Sequence, residues 1–131
     1  MPIEHRIDHA RRLVVATGRG VVTHGDIMGY QQGVWSRPDV AGYDELVDMT
    51  HVEDIALERV DRMREVADLS ASMDAGASAS KFAIVAPEEL AFALGRMYAA
   101  LRGMDKRSTK RVEVFRTMGE ALAFLGVEGP L

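Results

Sequence analysis

KFAIVAPEELAFALGRMYAALRG, residues 81–103, is the stretch on which the fold turns. Its first six residues are almost wholly apolar, the composition of a strand covered on both faces. Pro87 then suits the first position of a helix, Glu88 and Glu89 complement the positive end of its dipole, and Arg102 with Gly103 closes it. The spacing predicts a central strand at 81–86 followed directly by a helix at 87–103. A buried strand feeding a helix is the repeating unit of a parallel sheet with helical crossovers.

The same alternation continues on both sides. Downstream, KRVEVFR (110–116) reads as a last strand, and Thr117 caps a final short helix that Gly126 ends. Upstream, IEHRIDH (3–9) alternates apolar and polar residues as a half-buried strand does, and RLVVATG (12–18) follows closely enough to form an antiparallel hairpin, closed by Gly18 and Gly20. Gly20 is placed where a positive φ is useful. Thr23 and Asp26 make a shortened capping box for a helix over 24–35. Residues 36–42, with Pro38 and Gly42, read as a loop, and 43–49 as a third strand. A helix over 56–73 aligns Val60, Met63, Ala67 and Ala71 and sets Glu58 four residues before Arg62, and DAGASAS (74–80) reads as flexible chain. The predicted order is ββαβαβαβα: an α/β fold with a mostly parallel five-stranded sheet, an N-terminal antiparallel hairpin and about four helices.

Composition narrows the class. At 131 residues the chain is expected to be a single domain, 1–131, able to bury its own core. The absence of cysteine excludes disulfide frameworks, thiolate zinc sites and thiol catalysis. A net charge of -4 argues against nucleic acid as a partner. The N-terminus is charged where a signal peptide is apolar, and no apolar run approaches the roughly 20 residues of a membrane span, so a cytoplasmic protein is expected.

The most polar candidate site is LVDMTHVEDIALER, 46–59, where Asp48, His51, Glu53 and Asp54 gather. A catalytic set needs an orienting partner and an oxyanion or metal feature as well, and neither accompanies these residues in the sequence. Thr50 with Glu53 three residues on reads as a cap where a strand feeds a helix. His5 and His9, four apart on a strand, stand roughly 13 Å from one another, too far to share a metal. ATGRGVVTHGD (16–26) fits neither the dinucleotide fingerprint nor the phosphate loop. The basic run DKRSTKR (105–111) reads as a solvated loop first and an acidic-partner contact second. No catalytic residue, cofactor or metal ligand is assigned.

The spacing of LVDMTHV (46–52), KFAIVAPEELAFALGRMYAAL (81–101) and VEVFRTMGEALAFL (112–125) resembles the STAS-like, or SpoIIAA-like, family of small bacterial proteins of the anti-sigma-factor-antagonist fold, over nearly the whole chain. The AIVAP strand with its following Gly95-Arg96-Met97-Tyr98, and the closing VFR and EAL segments, carry most of the likeness. It implies a βαβ sheet and a role in binding or regulation, with no catalytic residues. In the antagonist branch a serine at the start of the helix after this strand is phosphorylated by a partner kinase. The corresponding turn here is Glu53-Asp54-Ile55-Ala56, without a serine, and Thr50 lies upstream. Asp54 suits a helix N-terminus in its own right, and only secondarily imitates a permanently charged state.

Two functional classes follow. The first is a non-enzymatic regulatory or protein-interaction module. The second is a binder of a small apolar, lipid-like ligand at the carboxyl-end face of the sheet, where Thr50, Glu53, Asp54, Ile55 and Ala56 would lie. On the helical wheel of 87–103, Leu90, Ala93, Leu94, Met97 and Leu101 form the expected core face. Phe92, Gly95 and Ala99 are left as the surface of a homodimer or protein partner. An apolar cavity favours the ligand class, and a flat uncovered helix face the interaction module.

Overall fold

The computed structural model describes residues 2–56, 60–129 and 131. Strand β1 (Ile3–Asp8) and strand β2 (Leu13–Thr23) lead into helix α1 (His24–Trp35) and a single 3-10 turn at Pro38–Val40. Strand β3 (Asp44–Ala56), helix α2 (Val60–Asp74), strand β4 (Ser80–Val85), helix α3 (Glu89–Gly103), strand β5 (Lys110–Phe115) and helix α4 (Met118–Leu125) follow. The strands form one sheet in the order β1-β2-β3-β4-β5, antiparallel between β1 and β2 and parallel thereafter. This is the α/β arrangement expected from the alternation of apolar runs and amphipathic segments, with the hairpin at one end.

The register explains how the two faces are filled. Val14, Glu45, Phe82 and Val112 lie side by side in one row across the sheet, and Ala16, Val47, Ile84 and Val114 in the next row on the same face. Helices α1, α2 and α3 cover this face: Met63, Val66 and Ala67 of α2 and Tyr98 of α3 pack against Phe82 and Ile84, and Val34 and Trp35 of α1 against Val14. On the opposite face Leu13, Val15, Leu46, Ala83 and Val85 pack against Ala121 and Leu125 of α4. Strand β4 is buried on both sides, which is why its sequence is a continuous apolar run. The Thr23–Asp26 capping box is present at the start of α1, and the Thr117 side chain accepts from the Glu120 backbone at the start of α4.

Two expectations fail, each for a physical reason. Strands β2 and β3 do not stop near Gly18 and Met49. They pair with one another to Thr23↔Ala56, passing through two irregularities, at Thr17/Arg19 and Gly20/Val21. Gly20, with φ +64, supplies the left-handed conformation that the second one needs. Since β4 pairs with β3 only from Glu45 to Asp48, the rest of β3 forms a two-stranded ribbon with β2. Glu53-Asp54-Ile55-Ala56 is therefore strand, not the first turn of a helix. The helix itself is described from Val60, and Glu58 lies outside the described residues.

The second failure is the phase of α3. Glu88, not Pro87, borders the helix, and the face turned inward carries Gly95, Tyr98 and Arg102. Leu90 is 60% exposed and Met97 39%, while Ala93 is exposed. Leu94 and Leu101 of the expected core face do pack against the α2–β4 cluster, so the inward face is rotated from the expected one rather than reversed, toward the paired Arg102. Gly95 lets α3 approach β5: a Cβ there would sit 3.2 Å from both methyl groups of Val114. Gly95→Val is therefore expected to push α3 from the sheet and cost about 1–3 kcal/mol in urea-denaturation stability.

Candidate functional site

The row Val14–Glu45–Phe82–Val112 places a carboxylate in the middle of an apolar layer. Lys110, two residues before Val112 on the same face of β5, answers it: Lys110 Nζ donates to Glu45 Oε1 at 2.8 Å, with the two side chains 4% and 2% exposed. Two residues of α1 complete the set. The Tyr30 hydroxyl donates to Glu45 Oε2 at 2.8 Å, and Trp35 Nε1 lies 3.2 Å from the same oxygen and 3.0 Å from the Tyr30 hydroxyl. The Lys110 ammonium also stands 3.0 Å from the centroid of the Trp35 ring, so the cation is held by a carboxylate and an aromatic face together.

A second buried pair joins α2 to α3. Arg102 binds Asp74, donates to the Tyr98 hydroxyl at 2.6 Å and to Ser108 Oγ at 3.1 Å, and Ser108 Oγ donates back to Asp74 at 3.0 Å. Burial shifts the groups of these networks. It pushes the Tyr30 hydroxyl well above its ordinary value, helped by the Glu45 charge, and raises Tyr98 as well. It lowers the Lys110 ammonium, against the attraction of Glu45.

Beside the network lies a cavity of about 110 Å³, partly open to solvent, between the sheet and helices α1–α3. Its walls are almost wholly carbon: Ala16, Val22 and Val47 from the sheet, Ile27 from α1, Met63 and Val66 from α2, and Ala91, Leu94 and Gly95 from α3. Glu45, Tyr30 and Tyr98 border it. Ala16, Ala91 and Gly95 are the smallest of its lining residues. Met49 and Ile55, from the β2–β3 ribbon, also line it.

The residues singled out in the sequence are not gathered there as a set. Of Thr50, Glu53, Asp54, Ile55 and Ala56, Ile55 lines the cavity, Thr50, Glu53 and Asp54 are exposed on the ribbon, and Ala56 is half-buried. Thr50 makes no cap with Glu53; its N–H and hydroxyl donate to Asp48 at 3.0 and 2.5 Å. Gly95 is buried against Val114, whereas Phe92 and Ala99 border a groove of about 420 Å³ beside β5, with Arg96 and Arg116 over the Phe92 ring. The basic run is divided: Lys110 is internal, while Arg107 bridges Asp68 and Asp105, and its side-chain and backbone hydrogen bonds bring the Asp105 carboxyl down to about 2. His9 meets the Tyr43 hydroxyl and His24 meets Glu65. Among the described residues no three histidine, aspartate or glutamate side chains are placed to hold a metal, and no helix is long and apolar enough to cross a membrane.

The Glu45 network was missed in the sequence, although a signal was present. Period-two reading of 43–49 puts Glu45 on the face of Tyr43 and Val47, an inward position that a carboxylate occupies only with a partner. That partner is 65 positions away.

No family model and no curated protein matches the sequence. Among solved structures, the chain is similar to a protein of Shewanella loihica PV-4, described as an uncharacterized member of the DUF3478 family with a SpoIIAA-like fold. The two share 16% identity and a TM-score of 0.58, over 94% of this chain and 93% of the other. The fold is SpoIIAA-like. At this identity the likeness concerns the SpoIIAA-like architecture alone, in agreement with the resemblance carried by the strand and helix motifs.

Lys110→Met leaves the Glu45 charge without its cation and is expected to cost about 3–5 kcal/mol in urea denaturation, most of it regained when Glu45→Met is added. Alkaline pH offers a second readout. Folded Tyr30 and Tyr98 hold their protons above pH 10 while the unfolded chain releases its own, so both lower stability there; Lys110, titrating early in the folded state, acts with the opposite sign as pH rises toward 10.5. Tyr30→Phe should flatten the fall above pH 10 by about one proton, roughly 1.4 kcal/mol per pH unit.

Proposed function

We propose that this chain is a non-enzymatic binding module of STAS-like type whose cavity takes up a small apolar ligand. The carbon-walled cavity between the sheet and α1–α3 is the observation that supports this reading. An apolar cavity of roughly 150 Å³ stays dry and admits a benzene-sized molecule, and the volume here is of that order. A compact ring or the end of an acyl chain entering from the open side suits it. Catalysis is not proposed because the titratable groups at its border are engaged with one another: both Glu45 oxygens already accept, and Tyr30 donates to one of them. The charges behind the wall position the helices, and the wall itself selects by shape and apolarity. A protein-docking role, in regulation or otherwise, is the second reading, supported by the exposed apolar line of Leu90, Ala93, Met97 and Met104 along α3.

Benzene is a suitable first probe. At about ten times its dissociation constant it should raise the unfolding free energy by roughly 1.4 kcal/mol. Ala91→Phe, which fills the space, should abolish the increment while the variant stays folded. A wild-type protein indifferent to benzene, indole and short fatty acids would sink the ligand reading and leave the docking role.

A further inference from the structure

We propose that the chain forms a two-fold dimer by antiparallel pairing of β5 with β5 of a second copy, the dyad passing at Val112. Strand β5 is the last in the sheet, and its outer row of backbone N–H and C=O groups has no ladder partner among the described residues. Six residues long, it is a template for another strand. Directly beside it runs the groove bordered by Phe92, Arg96 and Ala99 of α3 and by Val112 and Val114, half-apolar and of about 420 Å³.

The occupant is identified by the charge pattern of β5 itself. Lys110-Arg111-Val112-Glu113-Val114-Phe115 carries opposite charges two residues apart, flanking Val112. In an antiparallel pair centred at Val112, Arg111 of each copy faces Glu113 of the other, so the pair is made twice, and Val112 meets its own copy on the helix side. Sliding the dyad to Glu113 sets two carboxylates face to face, and sliding it to Arg111 sets two guanidinium groups together. Both are disfavoured cross-strand pairs. Within the monomer Arg111 and Glu113 bridge each other at 2.8 Å, with side chains 69% and 39% exposed, and Arg111 also stands 5.4 Å from the centroid of the Phe124 ring; the ion pair is the contact exchanged for the one across the dyad. An axis normal to the sheet keeps equivalent faces together, bringing Phe92 and Ala99 of the two α3 helices alongside and continuing the sheet through ten strands. This surface is separate from the cavity, and the proposal does not rest on ligand binding.

Sedimentation equilibrium of the full chain tests it. Wild type is expected to be dimeric at a concentration on the order of 100 µM. Arg111→Glu and Glu113→Arg alone should each weaken association about tenfold or more, since each reversal strikes two symmetric pairs. The double reversal should return it to within about threefold of wild type. Because the sequence lacks cysteine, Val112→Cys introduces a single thiol. At the dyad its Cα lies about 4.5–5.5 Å from its copy, within disulfide reach. Mild oxidation should cross-link this variant and leave Glu4→Cys on the opposite edge uncross-linked. A monomeric wild type, a dimer indifferent to both single reversals, or a dimer in which Val112→Cys fails to cross-link would each overturn the proposal. If circular dichroism shows a reversal variant unfolded, the cross-link decides.

Discussion

The Glu45–Lys110 pair is the constraint around which the helix side of the sheet is arranged. Taking a carboxylate and an ammonium out of water costs several kcal/mol per ion, and their attraction offsets this only when the remaining polar valences are also filled. Tyr30 and Trp35 fill them, and the Trp35 ring lies under the ammonium. The consequence reaches three elements. Helix α1 can seat only where its tyrosine and tryptophan reach β3, and β5 only where its first residue reaches β3 across β4. An apolar row of the same shape would tolerate several registers; a charged one tolerates few.

The Arg102–Asp74 pair constrains α3 in the same way. Gly95, Tyr98 and Arg102 turn inward beside Leu94 and Leu101, while Leu90 and Met97 turn outward, a face rotated from the one hydropathy predicts. Between α1, α2, α3 and the sheet lies the carbon-lined cavity. Nearly all of the lining is carbon, and of the two ion pairs only Glu45 reaches its border.

The sheet contributes two other features. The β2–β3 ribbon runs beyond β4 and brings Val22, Met49 and Ile55 over one end of the cavity. At the far edge β5 remains open, carrying Arg111 and Glu113 on one face and Val112 and Val114 on the other. The likeness to the Shewanella structure extends over nearly the whole chain and, at 16% identity, is a likeness of backbone.

Much of the architecture was legible because it is written locally. The apolar run 81–86, the alternation of 3–9, the capping residues Thr23 and Thr117 and the glycine at 126 each act within a few positions, and together they determined the element order and the mixed sheet. Even the positive φ of Gly20 could be anticipated, though not the irregularity it serves. The site was not legible in that way. Residues 50–56 have the composition of a helix entry, yet pairing of 51–56 with Arg19–Thr23 holds them as strand, because ladder hydrogen bonds to a neighbouring strand outweigh local propensity. Glu45, Asp74, Arg102 and Lys110 look like surface charges one at a time, and become a core only when folding brings residues 28 and 65 positions apart into contact. The sequence by itself determined the order and kind of the elements, since periodicity and capping are short-range. Tertiary structure alone decided which charges are buried, which face of α3 turns inward and where the cavity lies, since these depend on partners that only the closed sheet brings together.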